Sequence, residues 1–112
     1  MSKILYTIPT TITASTVIHT VPCFLMKIVI GSDGTNNPTL AAYNEANSSA
    51  TASKQIMPSQ TYDAVSLGIN GIVYQFAEYC DTGLYVSIAG AGSVVVVVST
   101  RTKSSLHGFK LL

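Results

Sequence analysis

This 112-residue chain contains few charged residues. Asp, Glu, Lys and Arg make up 10% of the residues, whereas soluble domains average about 25%. Six Lys and Arg residues form no basic footprint, which argues against a nucleic-acid-binding domain. The formal net charge is +1, so little electrostatic repulsion keeps copies of the chain apart. We therefore expect a subunit of an assembly rather than a free monomeric enzyme.

Long apolar segments and cysteine are scarce as well. The longest apolar stretches, within residues 23–30 and at residues 94–98, are far shorter than the ~20 residues of a transmembrane helix. Residues 1–6 lack the apolar core and cleavage site of a signal peptide. Two cysteines, Cys23 and Cys80, are too few for a disulfide-stapled scaffold. They could form one bridge, but without an export signal two buried thiols are the better interpretation.

What the chain does contain is β-strand pattern along most of its length. Segments rich in Val, Ile, Thr and Tyr are separated by turn signals with Gly, Pro, Asn and Asp. Strands are predicted at residues 16–21, 23–30, 39–43, 56–62, 72–79, 84–88 and 93–99. Pro58 favours an edge strand or a bend, because proline has no N–H to donate. About eight short strands predict an all-β sandwich or barrel.

The composition divides the chain into a middle and two ends. Residues 1–15 are Thr-rich and are predicted to form an N-terminal arm. Residues 16–100 are predicted to form the β-sandwich domain. Residues 101–112 carry three of the six basic residues and are predicted to form a C-terminal arm.

The valine segment at residues 94–98 predicts association between subunits. A strand with one wet face alternates apolar and polar residues, but this segment is apolar at every position. Both of its faces should therefore be covered, and an uncovered segment of this kind would promote aggregation. We predict a homo-oligomer whose interface contains Val94, Val96, Val98 and Tyr85.

Two loop sequences match ligand-binding motifs in part. The Gly-Ala-Gly sequence at residues 90–92 is followed by a valine strand and not by the helix that a phosphate site needs. We interpret it as the turn of a hairpin that pairs residues 84–88 with residues 93–99. Three residues have the odd spacing of the first ligands of an EF-hand: Asp33, Thr35 and Asn37. The later Gly and Glu of that motif are missing, so a polar turn is the better interpretation.

No catalytic or metal-binding pattern stands out. His19 and His107 form no ligand spacing with the cysteines, and His19 is interpreted as a structural histidine. The residue types present would allow a catalytic triad of Cys80, His19 and Asp81 or a pair of catalytic carboxylates, but no sequence motif supports either. The acidic residues are Asp33, Glu45, Asp63, Glu78 and Asp81. We predict no enzymatic activity, no cofactor, no metal and no small-molecule substrate.

Residues 83–98, which read GLYVSIAGAGSVVVVV, resemble a segment of small β-sandwich virion proteins of tailed bacteriophages. In those proteins a GLYV strand, a glycine-containing turn and a valine-rich last strand close the sheet. The similarity extends over residues 17–99 as an order of strands and turns.

This resemblance implies a jelly-roll-like sandwich that acts as a capsid decoration (cement) protein. Such a protein is made in the host cytoplasm and forms a homotrimer on the capsid surface. It binds and braces the shell of major capsid protein, with no nucleic-acid or membrane partner. The terminal arms would reach neighbouring subunits by β-strand pairing, and the contact residues named by this analogy are Lys3, Ile4, Tyr6, Ile8, Phe109 and Leu111.

Two other functions stay open at this stage. A tail- or fibre-associated carbohydrate-binding module would use tyrosine faces and the loop at residues 31–38, although the absence of tryptophan weakens a sugar platform. The tyrosines in question are Tyr43, Tyr62, Tyr74, Tyr79 and Tyr85. A small hydrolase would need perturbed acids such as Asp63 or Glu78 in a concave site.

Overall fold

The computed structural model describes residues 7–31, 37–63, 72–89 and 95–102, and these residues form an all-β sandwich. One short 3₁₀ helix spans Ala52–Lys54, and no α-helix occurs in the described residues. The strands are β1 Ile8–Ile12, β2 Thr16–His19, β3 Cys23–Gly31, β4 Thr39–Tyr43, β5 Gln55–Thr61, β6 Ile72–Cys80, β7 Leu84–Ala89 and β8 Val95–Thr102. The predicted all-β sandwich is confirmed.

The strand order is that of a jelly roll. Strands β1, β2, β3 and β4 pair antiparallel with β8, β7, β6 and β5, respectively, like a long hairpin folded between β4 and β5. This hairpin rolls up so that β3 also pairs with β8 and β4 also pairs with β7. The result is a first sheet of order β1-β8-β3-β6 and a second sheet of order β2-β7-β4-β5, which is the two-sheet arrangement of jelly rolls.

The predicted hairpin between the GLYV strand and the valine strand is wrong. β7 pairs with β2 and β4 in the second sheet, whereas β8 pairs with β1 and β3 in the first. The connection between them therefore crosses from one sheet to the other. Glycines permit a sharp change of chain direction, but they do not specify whether the next strand stays in the same sheet.

The core lies between the sheets and follows from strand alternation. In β8, Val96 and Val98 point inward and are fully buried, because alternate residues of a strand face opposite sides. In β3 a register shift between Leu25 and Lys27 changes the inward phase, so that Leu25 and Ile28 are both buried. The main core also contains Ile12, Cys23, Ile30, Leu40, Ala42, Met57, Tyr62, Cys80, Leu84 and Val86.

The described strands extend beyond the predicted central domain at both of its ends. Ile8–Ile12, placed in the N-terminal arm by the sequence, forms β1 and pairs with β8 of the same chain. β8 continues to Thr102. Residues 1–6 and 103–112 lie outside the described residues, so the prediction of extended arms rests on the sequence alone. Pro58 lies in β5, an edge strand, as predicted.

Candidate functional site

The outer side of the first sheet carries an apolar surface that we call the valine face: Val29, Val73, Val95 and Val97. Val29 lies directly across from Val97 on β8 and from Val73 on β6, so these three side chains form a row over adjacent strands. Val73 is 52% exposed and Val95 is 45% exposed. The row contains no charged residue, and within the described residues it stays partly exposed to solvent.

An aromatic corner lies on the same sheet toward the end of β8. Phe24 is directly across from both Tyr79 and Arg101, and the rings of Phe24 and Tyr79 are tilted with centroids 5.0 Å apart. Tyr79 is 54% exposed. Among the residues that the structure describes, Nε of Arg101 is buried and has no hydrogen-bond partner. Aromatic residues and arginine are the types most enriched at protein interfaces.

The outer side of the second sheet is closed by its own side chains. Tyr43 and Tyr85 face each other across β4 and β7, and their rings stack with centroids 5.9 Å apart. Val17 lies across from Tyr85 on β2 and packs against this cluster. Tyr85, which the sequence assigned to a subunit interface, is thus mostly buried within one chain.

The other predicted interface residues fall into two groups. Val96 and Val98 are fully buried in the main core, so an interface that used their side chains would require the sandwich to open. Val94 lies outside the described residues. The accessible valines of β8 are Val95 and Val97, on the opposite phase of the strand. The alternation of side chains along β6 could have identified Val73 as an outward-facing residue. Val73 was not among the predicted interface residues.

Of the predicted capsid-contact residues, the structure places one. Ile8 begins β1 directly across from Thr100 and is 41% exposed. The others lie outside the described residues: Lys3, Ile4, Tyr6, Phe109 and Leu111. The start of β1 and the end of β8 lie at the same end of the sheet, because the two strands are antiparallel.

The side chain of His19 links the two sheets by a hydrogen bond. A register shift between Val17 and His19 turns the imidazole inward, and its Nε2 lies 2.7 Å from Oγ1 of Thr100 on the opposite sheet. Burial lowers the pKa of His19, because the charged form loses hydration. These contacts support the structural interpretation of His19.

Asn44 joins the end of β4 to the turn between β6 and β7. Its Nδ2 donates to Oδ1 of Asp81 at 2.7 Å, and its Oδ1 accepts from the backbone N–H groups of Thr82 and Gly83 at 2.9 and 3.3 Å. The hydrogen bond from Asn44, followed by one that Oγ1 of Thr82 donates to Oδ1 of Asp81 at 3.1 Å, lowers the pKa of Asp81. Asp81 and His19 therefore bond to separate partners and do not form the triad composed from the sequence.

A polar groove of about 260 Å³ opens between the edge strands of the two sheets. One side is formed by Glu78 and Tyr79 of β6, and the other by residues around the start of β5. Its lining residues are Asn44, Ser53, Lys54, Gln55, Ile56, Glu78 and Tyr79. Within the described part of the chain no cluster of three His, Cys, Asp or Glu residues could hold a metal ion.

Comparison of the chain with protein-family models, curated proteins and solved structures finds no match. In the described segments, no helix has the length and apolar character needed to cross a membrane.

Proposed function

We propose that this chain is a non-enzymatic virion structural protein that binds and braces the major capsid shell as a decoration (cement) protein. The observation that carries the proposal is the valine face, an uncharged row with Val73 and Val95 about half exposed. Apolar side chains grouped on one exposed side of a sheet favour burial against another protein. Jelly rolls recur in viral capsid proteins, which agrees with the sequence resemblance.

Two further features support binding to protein subunits. The aromatic corner adds Phe24, Tyr79 and Arg101 to the same sheet, and residues of these types dominate the binding energy of many interfaces. The low overall charge reduces the cost of burying a large surface, because few ionised groups must lose their hydration. The proposed partners of the valine face are copies of this chain in a trimer and the neighbouring capsid subunit.

The ends of the chain offer a second means of attachment. β1 begins and β8 ends at the same end of the first sheet. Segments that continue from there start beside the aromatic corner, where Arg101 and Phe24 lie across from each other. Strand pairing between such a segment and a neighbour would add main-chain hydrogen bonds to the side-chain contacts.

Co-sedimentation with phage heads assembled without this chain tests the proposal. The intact protein should pellet with the heads, and Val73→Lys should reduce the bound fraction at least tenfold, because a buried lysine without a partner is costly. Ser59→Lys is the matched control, since Ser59 is exposed on the edge strand of the other sheet. No pelleting of the intact protein, or equal binding by both variants, would contradict the proposal.

The polar groove favours a second function, carbohydrate binding by a tail- or fibre-associated module. An exposed tyrosine ring can pack on a sugar face, and Glu78 and Gln55 provide acceptors and donors for hydroxyl groups. Titration with bacterial surface polysaccharides tests it. Saturable binding that Tyr79→Ala abolishes and Ser59→Lys preserves would favour this function, whereas no binding would leave the decoration function favoured.

A further inference from the structure

Two cysteines that lie far apart in the sequence meet at the edge of the first sheet. Cys23 is the first residue of β3 and Cys80 the last residue of β6, and they are directly opposite each other in the antiparallel register. Both thiols are free, and the residues are 1% and 0% exposed. The thiol of Cys80 donates a hydrogen bond to the carbonyl oxygen of Glu78, with Sγ and O 3.9 Å apart.

This pairing satisfies the distance requirement of a disulfide. Directly opposite residues of antiparallel strands have Cα atoms about 4.5 or 5.5 Å apart, depending on the hydrogen-bonding position. Disulfides join residues whose Cα atoms are about 4.4–6.8 Å apart, so either position is compatible. Both side chains belong to the same core cluster and therefore point to the same side of the sheet.

We propose that Cys23 and Cys80 form an oxidation site at which a two-electron oxidant, a low-molecular-weight disulfide, converts the thiol pair into a cross-strand disulfide between β3 and β6. One thiol of the pair gives its proton to solvent, and its thiolate attacks one sulfur of the oxidant, which forms a mixed disulfide and releases one thiolate. The other cysteine gives its proton to solvent and attacks the protein sulfur of the mixed disulfide, which releases the second thiolate. The protein loses two electrons and two protons, and the oxidant is reduced to two thiols.

The position of the pair explains how a buried thiol reaches an oxidant. β6 is an edge strand, and Cys80 is its last residue. Separation of the last residue pair from β3 exposes both thiols without unfolding the core, since strand ends open at the lowest free energy. The disulfide then prevents that opening, and it fixes Tyr79 and Glu78, which directly precede Cys80 and line the polar groove.

Oxidation of the folded protein with glutathione disulfide tests the proposal. Trypsin cleaves after Lys27 and Lys54, which places the two cysteines in separate peptides of residues 4–27 and 55–101. We expect a linked pair of these peptides in the unreduced digest, lighter by two hydrogen atoms than their sum, and loss of both titratable thiols. Free thiols after oxidation, or a link found only between two chains, would overturn the proposal.

Urea unfolding of the same samples provides a second readout. The oxidised protein should unfold at a higher urea concentration than the reduced protein, because the cross-link restricts the unfolded chain. Cys23→Ala and Cys80→Ala are the controls: the remaining cysteine can form only a mixed disulfide with glutathione, so oxidant should not raise their urea midpoint. If either variant fails to fold, the digest of the unmodified protein still decides. An equal midpoint for oxidised and reduced protein, with the link absent from the digest, would refute the oxidation site.

Discussion

The two outer faces of the sandwich differ in how they are covered. On the second sheet, Tyr43 and Tyr85 stack on each other and each is 8% exposed. On the first sheet, the corresponding row is made of Val29, Val97 and Val73, and Val73 at the edge strand is 52% exposed. Within the described part of the chain, one face is closed by its own side chains and the other stays open to solvent.

Side-chain size explains the difference. A tyrosine ring is large enough to lie over its neighbour on the next strand, so two rings shield Ala41 and Val17 beneath and beside them. A valine side chain ends close to the strand and cannot cover the strand beside it. The tyrosine face, formed by Tyr43 and Tyr85, therefore contributes to folding, whereas the valine face is the surface proposed for binding.

Tyr85→Ala should have the largest effect, because it removes the ring that closes the second sheet. We expect a loss of about 3 kcal/mol in the free energy of unfolding, the range for removal of a buried aromatic ring. Urea denaturation followed by tyrosine fluorescence or circular dichroism measures this change. A loss similar to that of an exposed valine would show that the two faces do not differ in the way described.

Gly83→Ala should follow in size. A Cβ atom at Gly83 would lie 2.5 Å from the carbonyl oxygen of His19 and 2.8 Å from Cα of Ala46. Both are backbone atoms, so β2 and the loop after β4 must shift, and these elements flank the tyrosine face. We expect a loss of about 2 kcal/mol, typical of overpacking. Thr82→Ala, at the preceding and less buried position, is the control and should cost less.

The sequence was sufficient for seven of the eight described strands, all except β1, but not for their partners. Enrichment in Val, Ile and Phe identifies β3 and β8 as strands, because these residue types favour strand geometry. It does not identify the sheet to which a strand belongs, and the predicted pairing of residues 84–88 with 93–99 failed for that reason. Sheet membership depends on contacts between residues far apart in sequence, such as Ile8 with Thr100.

The candidate site was predictable only in part. The valine segment correctly indicated a strand with apolar residues on both sides, but strand phase decided that Val96 faces the core and Val95 the solvent. The inward orientation of the His19 side chain depends on a β-bulge, which no residue type in the sequence predicts. The meeting of Cys23 and Cys80 depends on the register of β3 and β6, which follows from the whole sheet.

Protonation of His19 should weaken its contact with Thr100, which links the two sheets. Its pKa is lowered from 6.5 in the folded state, so the unfolded chain binds the proton more readily. Stability is therefore present above pH 6.5 and falls as the pH decreases through the lower folded-state pKa. His19→Gln retains a hydrogen-bonding group and should lose this part of the pH dependence. Equal acid sensitivity of both proteins in urea melts across this range would contradict the assignment.

Val73→Lys should have the smallest effect on folding. It therefore separates a role of the valine face in binding from a role in folding. Because Val73 is exposed on an edge strand, we expect a change below about 0.5 kcal/mol in the free energy of unfolding. The same substitution places a charge on the valine face, the surface proposed for self-association. Light scattering at micromolar concentration should then show an oligomer for the unchanged chain and for Ser59→Lys, but a monomer for Val73→Lys. A monomeric unchanged chain would mean that the valine face does not bind a second copy, and the tyrosine and valine faces would then differ only in exposure.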